Sequence, residues 1–244
     1  MPIQIANLTI FPDNRAIKHK KNASASGLCA KNLVTLRISF IYSNSSKHTY
    51  MAKETIADVI SGIDINSEDA IVTLSDYLWQ IGNIDTLKKE LTDAAFNFQI
   101  AANVIGNYKG EGWEGIIEEH RDLLPYISHA MKALGITEIA GAFEDISKIF
   151  PLPIDVMALP EEQYCEVINF LKGVRIGKFF TLTMDELKKY SPEERKELVS
   201  RYDSYIDNLN EISGKLWNYG SPDNAGWGVV NRYLQEHLTD FIRK

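Results

Sequence analysis

From residue 51 onwards, apolar positions recur at helical spacing along the chain. The clearest stretch runs from Gly112 to Pro151, where Ile127, Met131 and Leu134 are followed by Ile139, Phe143, Ile146 and Phe150. Gly135 lies between the two sets, where positive φ costs little, and Pro125 sits near the start of the first. Thr137 is placed to cap the second helix and Pro151 to stop it. The pattern predicts a helical hairpin with an apolar inside. Its outer faces carry Glu111, Glu114, Glu118, Glu119, Asp122, Glu138, Glu144 and Asp145 against Arg121, Lys132 and Lys148.

Upstream, Ser67 with Glu68 and Asp69 predicts the start of a helix carrying Ile71, Leu74, Leu78 and Ile81, ended by Gly82. A second helix is predicted from Asp85 past Leu87, Leu91, Ala95, Phe98 and Ala102 towards Gly106. Its stretch AAFNFQIAANVIGN is apolar almost all round, the mark of a central core helix. Gly106, Gly110, Gly112 and Gly115 then predict a flexible loop.

Downstream, PLPIDVMALP reads as a Pro-anchored crossing, followed by a helix through Tyr164, Val167, Ile168 and Leu171. GVRIGKFFTLTM reads as a short strand pair or a connector. Ser191-Pro192-Glu193-Glu194 is a capping box opening a long helix. Along it Leu198, Tyr202, Tyr205, Leu209, Ile212, Leu216 and Tyr219 form a seam expected to close within its own bundle. Trp227, Val230, Leu234, Leu238 and Phe241 mark a last helix. The fold class expected is all-α, a multi-helix bundle.

Charge divides the chain of 244 residues and net charge −7 into two parts. Residues 1–50 hold seven basic side chains and one acidic, a net +6, which leaves 19 basic and 32 acidic in residues 51–244, a net −13. The expected organisation is therefore a basic extension, 1–50, and an acidic helical domain, 51–244. The extension reads first as a weakly ordered segment ahead of Met51, with a transit peptide, or a basic arm that binds nucleic acid or folds back on the acidic body, as alternatives. Its Leu33–Tyr42 run is too short to cross a membrane. An acidic body repels nucleic acid and anionic membranes and favours basic partners. Only Cys29 and Cys165 are present, which suits a reducing compartment, with Cys165 buried on its helix, and a cytoplasmic location.

Catalytic chemistry finds little support. His120 and His129 are separated by Pro125, and no H-E-x-x-H, Glu-x-x-His or Cys-x-x-Cys occurs. The glycines lack the G-K-[ST] of a phosphate cradle, and no cofactor motif is present. Trp113 and Trp227 read as core residues at the bundle ends. What remains is the carboxylate density. Ordered carboxylates on rigid helices can present a field like a phosphate backbone to a basic surface.

The order of the helical region resembles a bacterial DNA-mimic-protein domain family, an all-α domain long listed as of unknown function. AAFNFQIAANVIGN is followed by a Gly-rich turn, then PYISHAMKALGITEIAGAFEDISKIFP, and late by LWNYG at Leu216–Gly220. Ala130, Leu134, Gly135, Ala140 or Ala142, Phe150 and Pro151 stand where the family has A-x-x-A-L-x-x-I-G-A … A-x-x-x-F-P. Where the family has Asn-Gly-Gly-Phe, this chain has Ala95-Phe96-Asn97-Phe98. The resemblance covers residues 67–241. It implies a non-enzymatic binding protein, a homodimer in one member type, that occupies the basic surface of a DNA-binding regulator or neutralises a basic toxin. The expected partner-binding residues are Glu111, Glu114, Glu118, Glu119, Asp122, Glu144 and Asp145. Two alternatives stand beside it: a metal-assisted hydrolase using carboxylates with His120 or His129, and an oligomeric scaffold subunit.

Overall fold

The computed structural model describes residues 56–61, 63–177, 180–217 and 226–241. The basic extension 1–50 lies outside them, as does Tyr219 at the end of the expected seam. Among the described residues every regular element is helical, as the periodicity predicts. After a short α1 (Ile56–Ile60), α2 (Glu68–Trp79) begins where the Ser67 hydroxyl accepts from the Ala70 N–H at 3.2 Å. Ile71, Leu74 and Leu78 are buried, while Ile81 falls beyond the helix end and is exposed.

The helix expected from Asp85 to Gly106 is two helices. Asn83 caps α3 (Ile84–Glu90), Leu91 turns extended, and Thr92 caps α4 (Asp93–Glu119) by accepting from the Ala95 N–H at 3.3 Å. Two side-chain acceptors nine positions apart thus start two helices in succession.

The Gly-rich stretch is not a loop. α4 runs through it as two helical segments, up to Glu111 and from Trp113 to Glu119, because Val104, Ile105, Trp113, Ile116 and Ile117 are buried on either side. Their packing outweighs the roughly 1 kcal/mol that each helical glycine costs relative to alanine. The helix breaks at Gly112 alone, whose φ of 72° and ψ of −174° are readily open only to glycine. Just past the break, Gly115 passes so close to the preceding turn that a Cβ there would lie 2.4 Å from Glu111 Cβ.

The hairpin forms as α5 (Leu124–Ala133) and α6 (Thr137–Glu144). Between them, Ile136 N–H donates to Met131 C=O at 2.8 Å and Gly135 N–H to Lys132 C=O at 3.1 Å, with Gly135 at φ 77°. That is a Schellman closure of α5. Thr137 is not the cap; it is the first helical residue, Ile136 precedes it, and the Thr137 hydroxyl donates to the Glu138 carboxylate. A 3₁₀ turn, Ile146–Ile149, carries the chain to Pro151.

α7 (Glu161–Leu171), the single-turn α8 (Asp185–Lys188), α9 (Pro192–Leu216) and α10 (Trp227–His237) complete the bundle. Between α7 and α8 the chain is a connector, with no strand among the described residues. The buried Glu166 carboxylate on α7 holds it, accepting from Thr183 N–H at 2.6 Å, Met184 N–H at 2.9 Å and the Thr183 hydroxyl. Cys165, one position earlier on α7, is half-buried rather than fully buried as expected.

The Ser191–Glu194 capping box is present on α9. Leu198, Tyr202 and Leu209 are buried as expected, but Ile206 and Ser213 complete the buried row, while Tyr205, Ile212 and Leu216 are half-buried. A straight helix drifts off a strict 3.5-residue repeat, which moves the row by a position. Ser213 enters the core because Trp113 needs an acceptor there: its indole N–H donates to Ser213 Oγ at 3.0 Å. α4 is the centre of the fold, packing against α2, α5, α9 and α10. Tyr108, Trp113, Phe143 and Trp217 form an aromatic cluster at its break, with ring centroids of successive pairs 4.9–5.7 Å apart.

Candidate partner-binding surface

The carboxylates singled out in the sequence do not share one hairpin face. Glu111, Glu114, Glu118 and Glu119 lie on α4 around the Gly112 break, and Asp122 lies in the 3₁₀ turn Arg121–Leu123 that leads to α5. Glu144 is the last residue of α6 and Asp145 caps it. Only these last two belong to the hairpin proper.

Four of the seven have basic side chains of the same chain as partners. Glu111 lies 3.3 Å from His120 Nε2, and Asp145 lies 2.6 Å from Lys148 Nζ. Lys172, at the C-terminal cap of α7, reaches both Glu114, at 3.7 Å, and Glu118, to which it donates. Glu118 is the most enclosed of the set, and burial pushes its carboxyl above the usual carboxylate range in spite of the Lys172 ammonium. Its charge therefore costs the fold more than the ion pair returns. Lys172 stands 54 positions from Glu118, a separation at which no helical spacing rule applies. Glu119, Asp122 and Glu144 are exposed and make no ion pair among the described residues.

α9 supplies a set that the sequence reading passed over. Asp203, Asp207 and Glu211 recur every four residues on its exposed side, away from the Leu198–Leu209 row. The signal was legible, since it is the polar complement of the seam. Glu211 pairs with Lys215 at 2.7 Å, while Asp203 and Asp207 make no ion pair among the described residues. The three span about 12 Å of helix at 1.5 Å per residue. Duplex DNA would place about seven phosphates in that length. The row is thus a line of negative charge on a well-packed helix, less than half as dense as a nucleic-acid duplex.

His120 and His129 are not brought into a metal site. His120 ends α4 against Glu111, and His129 is exposed on α5. No group of three His, Cys, Asp or Glu side chains among the described residues is arranged to hold a metal ion. None of the described helices is long and apolar enough to cross a membrane. The chain matches no known family model, no curated protein and no solved structure.

Proposed function

We propose that this chain is a non-enzymatic binding protein whose acidic helical body recognises a basic protein surface. The observation that carries the reading is that exposed carboxylates on the helices make no ion pair among the described residues, among them Asp203 and Asp207 on α9, Glu119 on α4, Asp122 and Glu144. They sit on helices anchored by buried rows, so their positions are fixed before a partner arrives, and little ordering entropy is lost on binding. Long-range attraction from such a surface speeds encounter and is screened over about 8–10 Å at ordinary salt. The spacing on α9 favours a basic protein patch over close imitation of a duplex, so the DNA-mimic reading rests on the family resemblance alone.

The α9 seam is used inside the bundle, where Leu198, Tyr202, Ile206 and Leu209 are buried, and is not free to join another chain as a coiled coil. The test is capture of partners from native lysate at low and high salt. The proposal expects basic proteins that are retained at low salt and released as salt rises. Retention that is indifferent to salt would instead favour an apolar scaffold.

A further inference from the structure

A cavity of about 360 Å³ opens between α2, α4 and α10, apart from every carboxylate assigned above to partner binding. Its lining includes Ile71 and the indole of Trp227, both largely buried, and a Cβ at Gly106 would lie in contact with Trp227 Cη2 at 3.5 Å. Its lining also includes two carboxylates of α2, Glu68 and Asp76. They are eight residues apart, about 12 Å along the helix. Lys109 of α4 lies against the same wall, its ammonium 4.7 Å from the centroid of the Trp227 ring. Burial draws that ammonium below its usual range, and Glu68 works against the shift.

Each part of the lining suits the same chemistry. An indole face attracts a cation, two carboxylates outnumber the one ammonium, and the apolar floor accepts methylenes. The protein's own Lys109 already occupies the cation position over the ring, on a tether that keeps it only partly desolvated. We propose that this cavity binds a linear aliphatic diamine, one ammonium replacing Lys109 over Trp227 beside Glu68 and the other reaching Asp76. A concave site of this size falls within the range of small-molecule pockets. An anionic ligand would have to approach past both carboxylates.

The experiment is calorimetric titration of the full chain with cadaverine, repeated for Lys109→Met, for Glu68→Gln/Asp76→Asn, and with n-pentylamine as the single-charge control. The expected result is saturable cadaverine binding, tighter in Lys109→Met because the tethered competitor is gone. Removing both carboxylates should weaken it about four- to 25-fold, two- to fivefold for each, the range of exposed ion pairs. n-Pentylamine should bind more weakly than cadaverine. Thermal melting of each variant confirms that it is folded. Absence of saturable binding in both the natural chain and Lys109→Met overturns the proposal. So does weaker binding in Lys109→Met, or equal affinity for the mono- and diamine. None of these outcomes bears on the basic-protein reading, which uses different residues.

Discussion

Replacing Ser213 with alanine takes one oxygen out of the interior and leaves an indole N–H with nothing to donate to. Trp113 is 1% exposed and Ser213 fully buried, and their 3.0 Å hydrogen bond joins the far side of the α4 break to α9. An orphaned buried donor costs about 1–3 kcal/mol. Part of that is returned, because Ser213 Oγ also bonds back to Leu209 C=O at 2.6 Å, and alanine is the better helix former by about half a kcal/mol. The net expectation is a loss of about 0.5–2.5 kcal/mol. For a chain of this size that lowers Tm by about 1–10 °C, at roughly 2–4 °C per kcal/mol. Urea unfolding followed by tryptophan fluorescence measures it, with a double-mutant cycle against Trp113→Phe. Once the donor is gone, Ser213→Ala should cost less, giving a coupling of about 1 kcal/mol. Strict additivity, or a Ser213→Ala variant as stable as the natural chain, would refute the claim that this bond fixes α4 to α9.

Other consequences are open to test. Gly115→Ala should destabilise by about 1–3 kcal/mol in thermal melts, since its Cβ would press into Glu111 Cβ at 2.4 Å. Gly141→Ala, exposed in α6 with nothing within 4 Å, should stabilise by about 0.5–1 kcal/mol. Glu118→Gln bears on pH. The folded state raises the Glu118 pKa and so binds its proton more tightly than the unfolded chain. The resulting stability is present below the ordinary carboxylate pKa and is lost as pH rises through the folded value. The variant, which resembles the protonated form, should gain stability relative to the natural chain between acid and neutral pH. A difference that is constant with pH would contradict the cause assigned. Leu209→Ala, at a fully buried site, should cost about 2–5 kcal/mol in urea unfolding.

What could be read from the sequence was whatever depends on neighbours within a turn or two. The Ser67 and Ser191 caps, the Gly135 bend and the all-round burial of Phe96–Ala102 follow from local spacing and came out as expected. Of the loop expected over the Gly-rich stretch only the turn at Gly112 forms, because elsewhere the weak local cost of glycine is overruled by tertiary packing around Trp113. The candidate site was least legible. Whether a carboxylate is available depends on cations brought from elsewhere in the chain, as Lys172 is brought to Glu118, and one sequence does not display such pairings. The Asp203–Asp207–Glu211 row was within reach, had the face opposite the seam been read for charge as the seam was for apolarity.

The central claim is that exposed, unneutralised carboxylates on the helical body bind a basic protein. Its most direct test is Asp203→Asn/Asp207→Asn, two changes at exposed positions of α9 that should leave melting nearly unchanged. The measurement is the association rate and affinity of this variant for a basic protein captured from native lysate, across a series of salt concentrations. The account predicts slower association, weaker binding at low salt and a flatter dependence on salt than in the natural chain. Equal rates and equal salt dependence in the two proteins would contradict it.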